Sequence, residues 1–489
     1  MRPALSLLGM LLLRSAIAQQ PPTVEWMDCF GGTIADVGYA VVQTTDSNYV
    51  AVGKTLSMND GDVSGNHGGT DVWAIKLDAS GALLWQHCIG GSAADEAYAV
   101  VATPDDGVLL AGLTESFDGD ALACTSGPLW VVKLDAAGDI QWQNCFAATT
   151  AYSIDLTSDG GCFVVGGSMD LFVAKLDPLG ALVWLHTYGS SGVDVGYSGV
   201  QTDDGGYIVT GSCGANNGDV TGWHGSLDCW VLKLDAAGDI EWQDSYGGTG
   251  FDRTFAILQT SDGGYLAGGV TGSSDGDVGP LCSDAAWMFK LDAAGALQWQ
   301  QCYEPGILPN SGGCVGTLLA MDDGAFVAAG IGDGEYWLQK IDITGAVQWQ
   351  QVYGLSGGYL RNAAGRTLDG GFICTDGTGI TGCGGSNNGG SDMRVFKLEK
   401  VNVTEGIEAV HTPTLSIFPD PGHDLVRVTT TQPLQHATLS LRDALGREVQ
   451  RLPMPGTELV LDLGAQARGP YILTLHTEQA LVSKHFVVE

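Results

Sequence analysis

Short apolar segments alternate with Gly- and Asp-rich breaks through most of the chain, and each group of four segments forms one unit. In the unit around Trp242 the apolar segments cover residues 241–246, 254–259, 265–269 and 287–291. Gly-Gly, Asp-Gly-Gly and a long polar loop separate them. This pattern predicts β-strands, because such frequent Gly breaks would end any helix. Each unit is therefore predicted to be a small four-stranded sheet.

A ten-residue phrase marks one hairpin of each unit, and its copies are arranged as in a closed ring. The full phrase reads Lys-Leu-Asp-Ala-Ala-Gly-Asp-Ile-Glu-Trp at 233–242. Seven Lys starts match seven Trp ends with an offset of one unit: Lys76, Lys133, Lys175, Lys233, Lys290, Lys340 and Lys397 against Trp26, Trp85, Trp142, Trp184, Trp242, Trp299 and Trp349. A strand at 24–29 beside 393–398 would close the ring and remove exposed sheet edges. The sequence thus predicts an all-β fold with a seven-bladed β-propeller.

The two faces of this predicted ring differ in their loops. Connections between antiparallel strands alternate between the two ends of a sheet. The Asp-Gly-Gly turns and the phrase turns then share one face, and the Gly-Gly links and long loops share the other. The long loops carry the length variation, since the Lys-to-Lys spacing ranges from 42 to 58 residues. We expect binding on the long-loop face, because function tends to lie on loops held by a rigid scaffold.

A change of composition near residue 405 separates a second domain. All 13 Trp and all 12 Cys precede it, and residues 413–489 contribute −2 to the net charge of −35. The predicted domains are a propeller at 19–403, a linker at 404–412 and a small β-sandwich of seven strands at 413–489. The strong acidity argues against nucleic acid and anionic lipid as partners.

The first 18 residues have the pattern of a secretory signal peptide, with a basic start, an apolar run and small residues before the cleavage site. The apolar run at 4–13 is too short for a transmembrane helix, and no later stretch approaches the roughly 20 apolar residues required. Export favours disulfides among the twelve Cys. Local pairing is predicted, with free buried thiols as the alternative, for Cys29, Cys88, Cys145 and Cys302 after repeat Trp residues and for the loop-bracketing pairs Cys213/Cys229 and Cys374/Cys383.

Acidic loops between the second and third strands of several units are candidate calcium sites. Carboxylate and amide oxygens around a Gly turn are ligands that Ca²⁺ accepts. No Glu closes any loop at the twelfth position of an EF-hand, and turn formation alone also explains Asp-Gly-Asp. The candidate ligands are Asp60, Asp62, Asp118, Asp120, Asp219, Asp275 and Asp277.

Two of these loops also carry candidate ligand-binding side chains, namely Asn66 with His67 and Trp223 with His224. An exposed Trp and an imidazole can stack on and hydrogen-bond a sugar; loop packing is the alternative. No catalytic residue is predicted. The G-x-S-x-G matches at 272–276 and 354–358 fall on repeat turns rather than a strand-to-helix elbow, and the G-x-G-x-x-G match at 377–382 has no helix after it.

The ten-residue phrase resembles the tryptophan-docking motif of quinoprotein-like propellers, through its Leu-Asp, Gly and Trp positions in the repeats. This resemblance implies that each Trp locks neighbouring blades together. Catalytic quinoproteins of that kind carry a vicinal Cys-Cys pair, and this sequence has none. No quinone cofactor is therefore expected.

The C-terminal 77 residues resemble the type A C-terminal sorting domain of the type IX secretion system of Bacteroidetes-type bacteria. The motifs are Phe-Pro-Asp-Pro at 418–421, Gly-Arg at 446–447, Gly-Pro-Tyr at 469–471 and the closing Lys-His-Phe-Val-Val at 484–488. The family usually has Pro-Asn-Pro and Gly-Ile-Tyr or Gly-Val-Tyr at two of these places. The resemblance assigns the sorting signal to Pro419, Asp420, Pro421, Gly446, Gly469, Tyr471 and Lys484.

That resemblance implies passage through the periplasm, export across the outer membrane, removal of the domain by a sorting peptidase, and surface attachment or release. The preferred hypothesis is an exported, non-catalytic binding or adhesion propeller with a glycan or surface protein as its partner. The alternatives are an exported enzyme acting on polysaccharide through loop-face carboxylates, and a structural surface component.

Overall fold

The computed structural model describes residues 20–280, 282, 284–303, 313–332, 334–355, 363–378, 390–400, 415–418, 425–443, 447–464, 466, 468–476 and 481–488. The predicted signal peptide lies outside these residues. The chain divides into two compact units, one of which is Ala18–Asn402 and the other of which contains Val403–Glu489. The regular secondary structure of the described residues is β-strand, apart from one short 3₁₀ turn at Gly119–Ala123.

The first unit begins with strand β1 (Val24–Phe30) and continues with four-stranded antiparallel sheets. The first sheet contains β2 (Asp36–Gln43), β3 (Tyr49–Thr55), β4 (Asp71–Leu77) and β5 (Leu83–Ile89). The second contains β6 (Asp95–Ala102), β7 (Val108–Thr114), β8 (Leu129–Leu134) and β9 (Ile140–Phe146). The third contains β10 (Ala151–Leu156), β11 (Cys162–Gly167), β12 (Leu171–Leu176) and β13 (Leu182–Tyr188). The fourth contains β14 (Val195–Gln201), β15 (Tyr207–Cys213), β16 (Asp228–Leu234) and β17 (Ile240–Tyr246).

Three further sheets complete this unit. The fifth contains β18 (Asp252–Gln259), β19 (Tyr265–Thr271), β20 (Ala285–Leu291) and β21 (Leu297–Tyr303). The sixth contains β22 (Gly313–Ala320), β23 (Phe326–Gly332), β24 (Glu335–Ile341) and β25 (Val347–Leu355). The seventh contains β26 (Ala364–Arg366), β27 (Phe372–Thr378) and β28 (Asp392–Leu398), with β1 as its fourth strand.

The seven sheets follow one another around a circle. The first strand of each sheet contacts the first strand of the next, and β26 of the seventh sheet contacts β2 of the first. Strand β1 pairs antiparallel with β28, with Met27 opposite Phe396. Third strands such as β16 are buried along their whole length because neighbouring sheets cover both faces. The architecture is all-β and propeller-like.

The repeated phrase forms the hairpin between the third and fourth strands, and its Lys is fixed by an ion pair. Lys175 Nζ lies 2.9 Å from Asp159, which comes from the Asp-Gly-Gly turn of the same sheet. The Thr157 hydroxyl and the Lys175 ammonium donate to Asp159 and lower its pKa to about 2. The same pairing recurs in all seven sheets, as Lys76–Asp46, Lys133–Asp105, Lys175–Asp159, Lys233–Asp204, Lys290–Asp262, Lys340–Asp323 and Lys397–Asp369.

The Trp of the phrase reaches the phrase turn of the next sheet. Trp85 Nε1 donates to the carbonyl of Ala136 at 3.2 Å, and Trp299 Nε1 donates to that of Ile343 at 2.9 Å. The Gly of the facing turn is required, because Gly180 has φ +81° and a Cβ there would lie 2.5 Å from the Trp142 ring. The phrase therefore joins neighbouring sheets.

The second unit is one hydrogen-bonded sheet of five strands in its described part. It contains β29 (Leu415–Phe418), β30 (Leu425–Asp443), β31 (Glu448–Asp462), β32 (Gly469–His476) and β33 (Leu481–Val488). The sheet order is β29-β30-β32-β33, and β31 also pairs with β30. Strands β30 and β31 run on through register shifts, and the seven-stranded sandwich stays a prediction. Val426, Leu441 and Leu473 form part of its own core.

Three of the four cysteines that follow a repeat Trp are disulfide-bonded, whereas the loop-bracketing pairs were wrong. Cys124–Cys145 and Cys282–Cys302 are bonded, and Cys29 is also disulfide-bonded. The thiols of Cys88, Cys213, Cys229 and Cys374 are free and buried, and Cys383 lies outside the described residues. Cys213 lies opposite Asp228 in the ladder and Cys229 lies opposite Ser212. Because side chains alternate along a strand, the two thiols point to opposite faces of their sheet.

Candidate functional site: the long-loop face

Each acidic loop is attached to the linker that enters its own sheet. In the second sheet, Asp118 Oδ1 accepts a hydrogen bond from the backbone N–H of Ser92 at 2.8 Å. Asp120 Oδ2 accepts from Gly90 N–H at 3.2 Å, and Asp120 N–H donates to the Gly90 carbonyl at 2.8 Å. The hydrogen bonds from Ser92 hold the pKa of Asp118 below its usual value. These carboxylates make the linker and the loop one rigid element.

The same geometry recurs in other sheets. Asp60 accepts from Thr33, Asp62 from Gly31, Asp219 from Gly189, Asp275 from Thr249 and Asp277 from Gly247. All seven predicted calcium ligands therefore bind backbone N–H groups. Across the described ranges, no group of three or more His, Cys, Asp or Glu side chains is arranged to hold a metal ion. Calcium binding at these loops stays a prediction.

A second set of carboxylates, which sequence reasoning missed, is buried beneath the linkers. Asp95 is fully buried and accepts hydrogen bonds from Gly91 N–H at 2.8 Å, the Thr114 hydroxyl at 2.5 Å and the Ser116 hydroxyl at 2.7 Å. Equivalent sets form around Asp36 and Asp252. The sequence signal is an Asp four residues after Gly-Gly, together with a later Thr-x-Ser. These sets fix the base of the loop face.

His67 connects the first sheet to the second. Its Nδ1 lies 2.8 Å from Asp71 Oδ2, and its Nε2 lies 3.8 Å from Asp120 Oδ2. His224 repeats this arrangement between the fourth and fifth sheets, at 2.9 Å from Asp228 and 3.9 Å from Asp277. A buried carboxylate on Nδ1 fixes the orientation of an imidazole ring. The structure thus brings predicted histidines and predicted aspartates together in pairs.

Asn66 and Trp223 are placed differently from these histidines. Asn66 is 9% exposed, and its side-chain oxygen accepts from Gly68 N–H at 2.7 Å. Trp223 packs against the core shared by the third and fourth sheets, and its Nε1 donates to the Ser226 carbonyl at 3.3 Å. Both side chains contact their own loops, as the packing alternative predicts, and ligand binding by them stays a prediction.

A cavity of about 670 Å³ lies between the outer strands of the first and second sheets. Its lining includes Ser64, His67, His87, Asp120 and Asp139. His87 and Asp139 were not among the predicted site residues, because each lies next to or within a repeat hairpin. The volume falls within the range of small-molecule sites. Imidazole and carboxylate groups around it can donate to and accept from the hydroxyl groups of a polar ligand.

In the second unit, three residues of the predicted sorting signal are described. Gly469 begins β32 with φ +142°, Tyr471 is buried in the core, and Lys484 on β33 lies opposite Leu473. Pro419, Asp420, Pro421 and Gly446 lie outside the described residues.

The fold and these sites define a propeller-like all-β protein joined to a separate β unit at its C terminus. Residues 416–489 match the family described as "Secretion system C-terminal sorting domain". The predicted type IX sorting domain is thereby confirmed, and it implies interaction with the type IX machinery and export to the cell surface or the medium. Within the described part of the chain, no helix is both long and apolar enough to cross a bilayer.

Three solved structures are similar to this chain at low sequence identity. A protein of unknown function from Bacteroides caccae is 13% identical, with a TM-score of 0.37, over 59% of this chain and 92% of its own. PorZ, described as an essential surface component of the type IX secretion system of Porphyromonas gingivalis, is 12% identical, with a TM-score of 0.39. That match covers 94% of this chain and 60% of PorZ. The Dos1 propeller is 10% identical, with a TM-score of 0.43, over 77% of this chain and 96% of its own. No curated protein sequence matched the chain.

Proposed function

We propose that this protein is an exported, non-catalytic binding protein built on a seven-bladed β-propeller. In this proposal residues 1–18 are a signal peptide, 19–403 form the propeller, 404–412 are a linker and 413–489 form a sandwich-type sorting domain that a sorting peptidase removes. The match of residues 416–489 to the sorting family carries the export part. Seven four-stranded sheets in circular contact support the propeller.

Deletion of residues 413–489 tests the export step. We expect the truncated protein to be retained in the periplasm, because its delivery depends on the sorting domain. Cell fractionation and protease accessibility on intact cells would measure this, with Asp139→Ala in the exposed phrase turn as an exported control. Unchanged arrival of the truncated protein at the cell exterior would contradict the proposal.

Binding is supported by the cavity between the first and second sheets, which extends from His67 and Asp120 of the long loops to His87 beside the phrase turn. The predicted loop carboxylates already accept backbone hydrogen bonds, which favours binding over hydrolysis. A glycan-array screen of the full chain would identify ligands. We expect His87→Ala to weaken binding about tenfold. His186→Ala is the matched control, because His186 also follows a repeat Trp by two residues but lies in the third sheet. Equal loss in both variants would place the ligand elsewhere.

A further inference from the structure

The first strands of five consecutive sheets carry a β-bulge, and the extra residue is aromatic every time. The register of β2 shifts between Gly38 and Ala40, which leaves Tyr39 as the unpaired residue. A bulge of this kind re-aims a side chain out of the regular alternation of the strand. The corresponding bulged residues in the other four strands are Tyr98, Tyr152, Tyr197 and Phe255.

These five rings touch one another in a continuous arc along the inner strands. Neighbouring centroids lie 4.9, 5.4, 5.5 and 5.2 Å apart in the order from Tyr39 to Phe255. In β22 the bulged position is Gly316, between Val315 and Thr317, and it has no side chain to continue the arc. The arc therefore ends beside Phe255.

Arg253 lies at this end of the arc. Its guanidinium carbon is 4.7 Å from the Phe251 ring, 5.4 Å from the Tyr197 ring and 6.0 Å from the Phe255 ring. Its Nε is buried and has no hydrogen-bond partner. A buried N–H without an acceptor is costly and points to a missing partner. The equivalent positions after the buried Asp in the first and second sheets hold Val37 and Glu96, so Arg253 is a departure from the repeat.

Arg253 is unusual among the basic side chains of this acidic protein. The chain has 56 acidic and 21 basic residues. Between residues 20 and 400, the described Lys and Arg side chains other than Arg253 and Lys400 each have a carboxylate oxygen within 4.0 Å. Lys400 is exposed, whereas Arg253 is partly enclosed by aromatic rings. In so acidic a protein, an arginine enclosed by aromatic rings and without a carboxylate among the described residues lacks a counter-charge that a ligand would supply.

We propose that Arg253, with Tyr197, Phe251 and Phe255, binds the carboxylate of a ligand whose body is a single ring. The planar guanidinium forms paired hydrogen bonds with a carboxylate, and its terminal N–H groups are the donors for a ligand. One face of the ligand's ring then packs on the aromatic side chains. A single carboxylate fits best, because the surrounding acidity repels further negative charge. The inference rests on the proposed role of the ring as the binding part of the protein.

Titration calorimetry on the purified full chain tests this site. Glucuronic acid and benzoate are the two acidic probes, and glucose and benzyl alcohol are their neutral counterparts. We expect one acid to bind while its neutral counterpart does not, and the acid that binds identifies a sugar or an aromatic body. Arg253→Gln should weaken that binding about tenfold to a hundredfold, because charged hydrogen bonds are lost. Arg366→Gln, whose guanidinium pairs with Asp322 at 2.7 Å, should leave it unchanged.

Three results would overturn the proposal: no binding of either acid up to about 10 mM, equal binding of the acids and their neutral counterparts, or full binding by Arg253→Gln. If Arg253→Gln does not fold, Phe251→Ala takes its place, because Phe251 is 39% exposed. That variant should bind severalfold more weakly with an unchanged melting temperature, and full affinity would count against the site. Export is measured separately on cells, so its failure would not affect these titrations.

Discussion

The turn face and the long-loop face of the ring are built from one repeat but use charge differently. On the turn face, each buried Lys pairs with an Asp from a neighbouring turn of its own sheet, as Lys290 does with Asp262 at 3.0 Å. On the long-loop face, aspartates bind backbone N–H groups and hydroxyls instead, as Asp95 does with Gly91. The turn face is uniform around the ring, whereas the loop face varies from sheet to sheet. The variable loop face is therefore the better candidate for ligand recognition.

The difference extends to how neighbouring sheets are joined. On the turn face, a Trp indole docks on the next phrase turn in sheet after sheet. On the loop face, the His67 and His224 connections exist at two sheet boundaries among the described residues. The repeated contact sets the geometry of the ring, and the local contacts distinguish particular boundaries.

The largest expected effect on stability comes from the buried carboxylates beneath the linkers, which fix the base of the loop face. Asp95→Ala removes three hydrogen bonds to a fully buried carboxylate and leaves Gly91 N–H and the Thr114 hydroxyl without an acceptor. We expect the free energy of unfolding to fall by about 3–5 kcal/mol. Urea denaturation followed by tryptophan fluorescence would measure it, with exposed Asp139→Ala as the control. A decrease of less than about 1 kcal/mol in the free energy of unfolding would mean that the buried Asp95 carboxylate is not needed for stability.

The turn face can be tested at Gly180, which lies in the phrase turn of the third sheet. Gly180→Ala imposes a positive φ on Ala and brings its Cβ against the Trp142 ring. Gly160→Ala, at φ +83°, imposes the same strain, but its Cβ would lie 3.7 Å from the nearest neighbour, Pro178 Cγ. We expect Gly180→Ala to lower the free energy of unfolding by about 1–3 kcal/mol more than Gly160→Ala does. Equal losses would show that Trp docking does not restrict this turn.

This contrast also explains how much the sequence could predict. The Lys and Trp of the phrase recur at fixed spacing, so the repetition of four-stranded sheets and the pairing of β1 with β28 could be anticipated from the sequence. The bulge at Tyr98 depends on the register between two strands, and no residue pattern within one strand reveals register. The register of the strands also decides that Cys229 and Cys213 point to opposite faces of their sheet. His67 and Asp120 come close because two neighbouring sheets bring them together. The spacing of residues along the chain does not predict such a contact.

A smaller effect is expected from pH at the His224 boundary. Burial raises the pKa of Asp228 to about 6, above its ordinary value of 3.8. The folded state therefore binds a proton more readily than the unfolded state between these values, so this group makes unfolding less favourable as the pH falls from about 6 to 4. As the pH falls from about 6 to 4, we expect the free energy of unfolding of the wild type to rise by about 2 kcal/mol relative to that of Asp228→Asn. Denaturation at several pH values would measure the difference, and parallel curves would contradict the buried, raised carboxylate.

The smallest expected effect concerns calcium at the acidic loops. Asp118, Asp120, Asp275 and Asp277 already accept backbone hydrogen bonds, so a cation must compete with those donors for the same oxygens. If the loops bind Ca²⁺, millimolar calcium raises the melting temperature by mass action, by a few degrees at most. Thermal unfolding in chelator and in calcium would measure the shift, with magnesium as the ionic-strength control. Coincident curves would remove calcium from the loop face and leave these aspartates with the structural role that their hydrogen bonds describe.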